Sequence, residues 1–313
     1  MSIVTPTLQR ADLLERTLRS VRSQTHPRVE HVVVDGGSTD GTLELLERYA
    51  GTYNLRWISE PDRGMYDAIN KGLRMATGEI LGYLNSDDLH FPWTVEAAVE
   101  AFAGHPEADA IYGDIIRADE IGKRLVPVFV PPFNCRAMAA FGTLSQPAVL
   151  LRRRVIDDLG GFDDTLRYVA DLEFWLRAGD RFRFVRIPEI LALEQRHAGM
   201  LSETQRHEMA IEDVRLRKAH RRGFRATAIG RFAAYVRWHG WSGRSWFEFV
   251  RAVRSRRGGW QRTIDGLRPT VDPRTALLGV LPSKGSRLRG GVRWGADPLE
   301  VASAATAAAE RKQ

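Results

Sequence analysis

Through the first 112 residues, short apolar runs alternate with stretches whose apolar residues recur every three or four positions. The short runs, Ile3-Val4 and residues 29–34, 55–59, 79–84 and 110–112, are rich in β-branched side chains and predict strands. Between them lies a helix over 11–23, with Leu13, Leu14, Leu18 and Val21 on one face. Further helices are predicted over 43–49, 66–76 and 94–102. Strands separated by single helices imply right-handed crossovers, and therefore a parallel sheet with helices on both faces. Ligands of such sheets sit beyond the carboxyl ends of the strands. Thr5, Asp35, Glu60 and Asp87-Asp88 follow those ends, so four strands are expected to bring polar groups to one edge.

The later pattern is more mixed. Residues 122–141, broken by Pro127, Pro131 and Pro132, read as a loop or strand-like excursion. A buried strand is predicted over 147–151, a short helix over 153–159 ended by Gly160-Gly161, and an amphipathic helix over 171–178. A strand over 182–187 and a long helix over 203–222 follow. This gives three expected parts: a catalytic domain over 1–205, a basic, aromatic, helical extension over 206–281, and a disordered tail over 282–313.

The 313 residues carry 46 Lys and Arg against 39 Asp and Glu, a net charge of +7, and the excess lies mostly late in the chain. Residues 215–268 hold fifteen Lys and Arg but only two acids, Glu248 and Asp265, with Trp238, Trp241, Trp246, Phe247, Phe249 and Trp260 among them. Basic segments studded with Trp and Phe suit an anionic membrane surface. A helical subdomain that packs its aromatics on the core is the other reading, and nucleic acid is the weakest. The single cysteine, Cys135, excludes an internal disulfide framework. With no basic leader ahead of an apolar stretch and no run of 18 uncharged apolar residues, the expected location is the cytoplasm, or the inner face of the cell membrane.

Four blocks carry candidate chemistry. In Asn85-Ser86-Asp87-Asp88, two adjacent carboxylates repel each other and favour a cation. Mg²⁺ or Mn²⁺ takes one or two carboxylates together with substrate phosphate oxygens. In Asp35-Gly36-Gly37-Ser38-Thr39-Asp40-Gly41-Thr42, a carboxylate at a strand end can accept a base N–H, while Ser38, Thr39 or Asp40 caps the next helix. In residues 60–72, Asp67, Asn70 and Lys71 share a helix face, and Lys71 or Arg63 suits phosphate. Gly160-Gly161-Phe162-Asp163 precedes Asp171, a carboxylate near a helix start that suits proton abstraction from a hydroxyl.

In this order and spacing the four blocks resemble the family 2 glycosyltransferases over roughly residues 2–200. The resemblance implies a GT-A fold, a mostly parallel Rossmann-like α/β sheet flanked by helices. It divides the catalytic domain into a nucleotide-sugar half, 1–115, and an acceptor and base half, 116–205. It implies a divalent metal, Mn²⁺ or Mg²⁺, a nucleotide-diphosphate sugar donor and a saccharide or lipid-linked acceptor. Donor binding would fall to Thr5, Pro6, Thr7, Asp35, Ser38, Arg63, Asp67, Asn70, Lys71, Ser86 and Asp87. Thr5 and Asp35 would hold the nucleoside, Asp87 the ribose or diphosphate, and Asp88 the metal. Asp171 would be the general base, and His197, in Arg196-His197-Ala198-Gly199, would approach the metal or diphosphate.

Three positions depart from the family pattern. Gln9 stands where Asn is common, Ala170 where Glu often precedes the base, and Glu173 where Asp is frequent. The Gln-x-x-Arg-Trp block of processive synthases is absent, which points to transfer of a single sugar. A nucleotidyltransferase would carry a Gly-rich loop near its start, and Thr5-Pro6-Thr7-Leu8-Gln9-Arg10 has no glycine. The non-enzymatic alternative is an inactive transferase fold acting as a membrane-surface or nucleic-acid-binding module.

Overall fold

The computed structural model describes residues 1–118, 125–135, 138–139 and 142–220. Residues 221–281 of the expected extension and the tail over 282–313 lie outside the described residues. No helix among the described residues is long and apolar enough to cross a membrane.

The first half follows the alternation of the sequence: β1 (Ser2–Thr7), α1 (Ala11–Arg22), β2 (Glu30–Asp35), α2 (Thr42–Tyr49), β3 (Leu55–Ser59), α3 (Met65–Met75) and β4 (Ile80–Tyr83). These strands lie in the order β3-β2-β1-β4, every pair parallel. Both β1 and β2 are buried along their whole length, as expected for central strands covered on two faces. Gly72 seats α3 on them, because a Cβ there would lie 2.3 Å from Val4 Cγ1.

The second half adds β5 (Leu89–His90), α4 (Thr94–Gly104), β6 (Ala110–Ala118), β7 (Leu125–Val128), a 3₁₀ turn (Gln146–Ala148), β8 (Val149–Arg152) and α5 (Arg153–Leu159). Then come α6 (Ala170–Ala178), β9 (Phe184–Gln195), α7 (Leu201–Thr204) and α8 (Arg206–Ala219). The sheet continues β4-β8-β6-β9-β5, with β7 also paired to β6. β6 and β9 run parallel, while β8 is antiparallel to both β4 and β6. The fold is therefore α/β as expected, with a purely parallel half joined to a mixed half.

Several elements outrun their sequence signals. β6 extends to nine residues and β9 to twelve. Gly113 and Pro188 interrupt their apolar patterns, but the long β6/β9 pairing carries both strands past them, with register shifts around Asp114. The single helix expected over 203–222 is two helices, α7 and α8.

One core joins the halves. Val4, Val32, Val34, Tyr66, Ile69 and Tyr83 cluster with Phe162, Phe174 and Trp175. Phe162 stacks on Phe174 at 4.5 Å and meets the Tyr83 ring edge-on at 5.3 Å. Met209 and Leu216 of α8 pack on the same cluster. α8, which lies beyond the boundary expected at 205, thus packs on the same core.

Two histidines are sealed in the sheet. His31 lies between Thr5 Oγ1, 2.9 Å from its Nε2, and Tyr53 Oη, 2.7 Å from its Nδ1. His90 donates from Nε2 to the Pro147 carbonyl at 2.9 Å, and its buried Nδ1 has no partner. Burial pushes His31 down to about 3 and His90 down to about 4. Both stay neutral in the fold but protonate near 6.5 once unfolded. Their contribution to stability is therefore complete above 6.5 and is lost as pH falls toward the folded values. Each should cost about 2 kcal/mol between pH 7 and pH 5. Urea unfolding at both pH values measures this, and His90→Asn should lose about 2 kcal/mol less than wild type over that interval. Equal losses in the two proteins would contradict the assignment.

Candidate donor and base site

The site lies at the carboxyl ends of the parallel strands. Asp35 closes β2, fully buried, and organises the turn that follows. Its Oδ2 accepts the Gly37 N–H at 3.0 Å, the Ser38 N–H at 2.9 Å and the Ser59 hydroxyl at 2.6 Å. Its Oδ1 accepts the Ser38 hydroxyl at 2.5 Å. Ser38 Oγ in turn accepts the Gln9 N–H at 2.7 Å, which ties the turn to the end of β1. A carboxylate offers about four acceptor positions, so capacity remains on Oδ1.

Beyond β4 the two acids of the pair meet different fates. Asp87 Oδ2 accepts the Arg10 guanidinium at 2.8 Å and lies 3.0 Å from His197 Nε2. Arg10 also donates to the Gly199 carbonyl at 2.9 Å, pinning the segment after β9 across the site. Asp88 is 3% exposed, and among the described residues it faces no cationic side chain; from them its oxygens receive the Gln195 N–H at 3.3 Å and the Asn85 amide at 3.4 Å. Burial, followed by the charges of Asp87 and Glu194, pushes its carboxyl well above the ordinary range.

A hard cation would relieve that situation. Asn85 Oδ1 and Gln195 Oε1, on the two residues that bond Asp88, are buried oxygens without a hydrogen-bond partner. Oxygen ligands around one carboxylate suit Mg²⁺ or Mn²⁺. Among the described residues no three His, Cys, Asp or Glu side chains are arranged to hold a metal. His197, expected to approach the metal or diphosphate, faces Asp87 and Arg10.

Asp171 sits in the first turn of α6, where Val169 provides no side-chain cap. Its Oδ1 accepts the Leu172 N–H at 2.7 Å and the Tyr66 hydroxyl at 3.3 Å. Burial raises its carboxyl above the usual range, against the opposing pull of those two bonds. Tyr83 feels the charges of both Asp171 and Asp88, and burial followed by those charges drives its hydroxyl upward. Asp171 and Asp88 thus both act electrostatically on one buried tyrosine.

The other expected residues divide. Thr7, at the end of β1, has a buried hydroxyl with no partner, and Ser86 is buried beside the acid pair. Pro6 lies in β1, opposite Val34. Thr5 departs from expectation: its hydroxyl bonds His31 inside the sheet, because the strand runs three residues further than its apolar signal. Asn70 departs as well. Its amide donates to the Phe162 carbonyl at 2.8 Å and accepts the Phe162 N–H at 2.9 Å, so both ends serve a clamp. Arg63 pairs with Asp67 at 3.0 Å and Asp164 at 2.5 Å, and Lys71 with Glu60 at 2.9 Å; Lys71 also donates to the Pro61 carbonyl. These three form an ion-paired helix face.

Arg10, Tyr66, Tyr83 and Ser59 join the candidate site without having been expected there. Tyr66 stands next to Asp67 in the third block, and that adjacency was the one signal available. Nothing local links Arg10 to Asp87, 77 positions away.

The fold, with its acids at the strand ends, is of the GT-A type. The glycosyl transferase family 2 model matches residues 2–159, and the chain belongs to that family. It is 34% identical over 182 residues to an uncharacterized glycosyltransferase of Mycobacterium tuberculosis, covering 57% of this chain and 68% of that one. It is 32% identical over 207 residues to a PGL/p-HBAD biosynthesis glycosyltransferase of Mycobacterium bovis, covering 65% and 79%. Among solved structures, S. aureus TarS 1-349 in complex with UDP-GlcNAc superposes with a TM-score of 0.59 at 20% identity, over 76% of this chain and 71% of that one. The mannosyltransferase PcManGT of Pyrobaculum calidifontis, in complex with GDP-Man and Mn²⁺, gives 0.58 at 23% identity, over 85% and 78%. The protein is a glycosyltransferase.

The clamp between α3 and the loop before α6 requires glycine at 161. Gly161 has φ +85°, and a Cβ there would lie 2.6 Å from Asn70 Oδ1. Gly161→Ala should cost about 1–3 kcal/mol through backbone strain and the displaced amide. In a thermal melt that is a fall of several degrees. An unchanged Tm would contradict the clamp.

Proposed function

We propose that the chain is an inverting, non-processive glycosyltransferase. It moves one sugar from a nucleotide-diphosphate sugar to a saccharide or lipid-linked acceptor in cell-surface glycan or glycolipid synthesis. The observation that carries this reading is Asp171 itself. It is a carboxylate with raised proton affinity, whose Oδ1 is fixed by Tyr66 and the Leu172 amide while no described residue bonds Oδ2. The neighbours crystallised with UDP-GlcNAc and with GDP-Man support a nucleotide-sugar donor.

In this mechanism Asp171 Oδ2 takes the proton of an acceptor hydroxyl. The acceptor oxygen forms a bond to the anomeric carbon as the bond from that carbon to the diphosphate oxygen breaks on the opposite face. The electron pair leaves with the nucleoside diphosphate, and the configuration inverts. Asp35 Oδ1, with capacity left, receives a base N–H, and the unpartnered Thr7 hydroxyl faces the donor. Arg10 screens Asp87 so that an anionic donor can approach. A divalent ion on Asp88, with Asn85 and Gln195 beside it, would supply Lewis-acid stabilisation to the leaving diphosphate. The basic segment 215–268, of which residues 215–220 are described, would hold the enzyme against an anionic membrane surface. Nucleic acid is not a proposed partner.

A thermal-shift panel of UDP, GDP, dTDP, CDP and ADP, with and without Mn²⁺, tests the donor half. At about a hundred times its Kd, one nucleotide should stabilise the protein by about 2.7 kcal/mol. Asp88→Ala should abolish the metal-dependent part. No shift with any nucleotide would favour the inactive binding module.

The base half makes a separate prediction. Asp171→Asn should lower kcat by about 10²–10⁴-fold while keeping the nucleotide shift. The wild-type rate should fall as pH drops through the raised Asp171 value, above the ordinary carboxylate region near 4. A rate that is flat down to pH 4, or an Asp171→Asn enzyme above a tenth of wild type, would remove Asp171 from the base role.

A further inference from the structure

The loop that delivers Asp171 is held from outside the region matched by the family model, which ends at residue 159. α6 begins with no side-chain cap of its own. The amides that precede and enter it instead converge on one carboxylate of α8. Glu212 Oε1 accepts the Arg167 N–H at 2.8 Å, and Oε2 accepts the Tyr168 N–H at 2.6 Å and the Val169 N–H at 3.0 Å. Three consecutive amides on one carboxylate form an anion nest, and charge-assisted bonds of this kind are stronger than neutral ones. The negative charge also complements the amino-terminal end of the α6 dipole.

The grip reaches the reacting group. The Tyr168 carbonyl, one peptide away from the gripped amides, accepts the Tyr66 hydroxyl at 3.2 Å, the same hydroxyl that lies 3.3 Å from Asp171 Oδ1. Fixing residue 168 therefore fixes Tyr66, and Tyr66 sets the oxygen of Asp171 that is not used for proton transfer. Arg177 holds the other end of α6 by donating to the Leu159 and Gly161 carbonyls at 2.7 Å each. α8 is itself anchored, since Arg217 pairs with Asp213 at 2.8 Å and donates to the Ala139 carbonyl. The charged and titratable groups around Asp171 are thus Tyr66 and Tyr83 from the sheet side and Asp213 from α8.

We propose that Glu212 is a positioning residue of this glycosyltransferase: its carboxylate on α8 sets Tyr66 and Asp171 for proton abstraction and replaces the support that Ala170 cannot give. The proposal rests on the reading of Asp171 as the base. It makes α8 part of the catalytic apparatus and not the start of an appended extension.

The test uses the full chain with Glu212→Ala, Glu212→Gln and, as a control on the exposed face of α8, Glu208→Ala. Release of nucleoside diphosphate from UDP-glucose, UDP-GlcNAc or GDP-mannose with Mn²⁺ gives kcat across pH. Titration of the same donor gives its Kd, and hydrogen–deuterium exchange reads the amides of residues 167–169. Glu212→Ala should speed exchange at those amides, lower kcat at least tenfold and displace the acidic limb of the pH profile, with the donor Kd within twofold of wild type. Glu212→Gln, with one acceptor oxygen for three amides, should fall between, and Glu208→Ala should match wild type. A kcat within twofold of wild type in both Glu212 variants, or a Kd that worsens in step with kcat, would overturn the proposal. If Glu212→Ala does not fold, Glu212→Gln decides by the same criteria. An Asp171→Asn enzyme that turns over normally would show that the base reading has failed. An inactive Asp171→Asn beside fully active Glu212 variants would show that only the positioning role has failed.

Discussion

The site is organised by the problem of keeping two adjacent carboxylates at the buried end of a strand. Like charges at that distance oppose ionisation, and burial adds to the cost. The chain resolves it asymmetrically. Asp87 is matched by Arg10 from the start of α1 and by His197 from beyond β9, which draws three distant segments together. Asp88 is left with an amide on each oxygen and, among the described residues, no counter-charge. An ordinary structural core would not keep such a group, whereas a site that receives a cation together with an anionic substrate gains from it. The unpartnered oxygens of Asn85 and Gln195 fit the same logic.

Asp171, the proposed base, is positioned by a second set of restraints that hardly overlaps the first. Aromatic packing of Phe162 against Tyr66, Tyr83 and Phe174 brings α6 onto the sheet. The Asn70 clamp and the Arg177 bonds fix the loop ahead of it. The acid pair and Asp171 are therefore held by separate sets of contacts on one core.

Much of this was legible in the sequence, and the limits are physical. The βα alternation, the polar strand ends and the carboxylate on the late helix are local patterns, and each appeared in its expected element. Strand length was not legible where Gly113 and Pro188 break the periodicity, since long-range β6/β9 pairing overrides them. Thr5 and Asn70 look like ligand-binding residues by type and position. Their hydroxyl and amide are used by His31 and by the Phe162 backbone, partners that only the fold supplies. Arg10 and Glu212 act across 77 and more than 40 positions, so no spacing could announce them. The packing of α8 on the core was not legible for the same reason, because its apolar contacts, Met209 and Leu216, are sparse in a polar helix.

The central claim is a single direct displacement between the diphosphate near Asp88 and an oxygen activated by Asp171. The nascent anomer tests it most directly, and water can serve as the acceptor. With an α-linked nucleotide sugar and Mn²⁺, proton NMR in the first minutes of donor hydrolysis, before mutarotation, reads the configuration of the released sugar. The account predicts the β anomer first. Initial release of the α anomer would contradict it, because retention requires a second displacement or front-face attack that this arrangement of carboxylates does not supply.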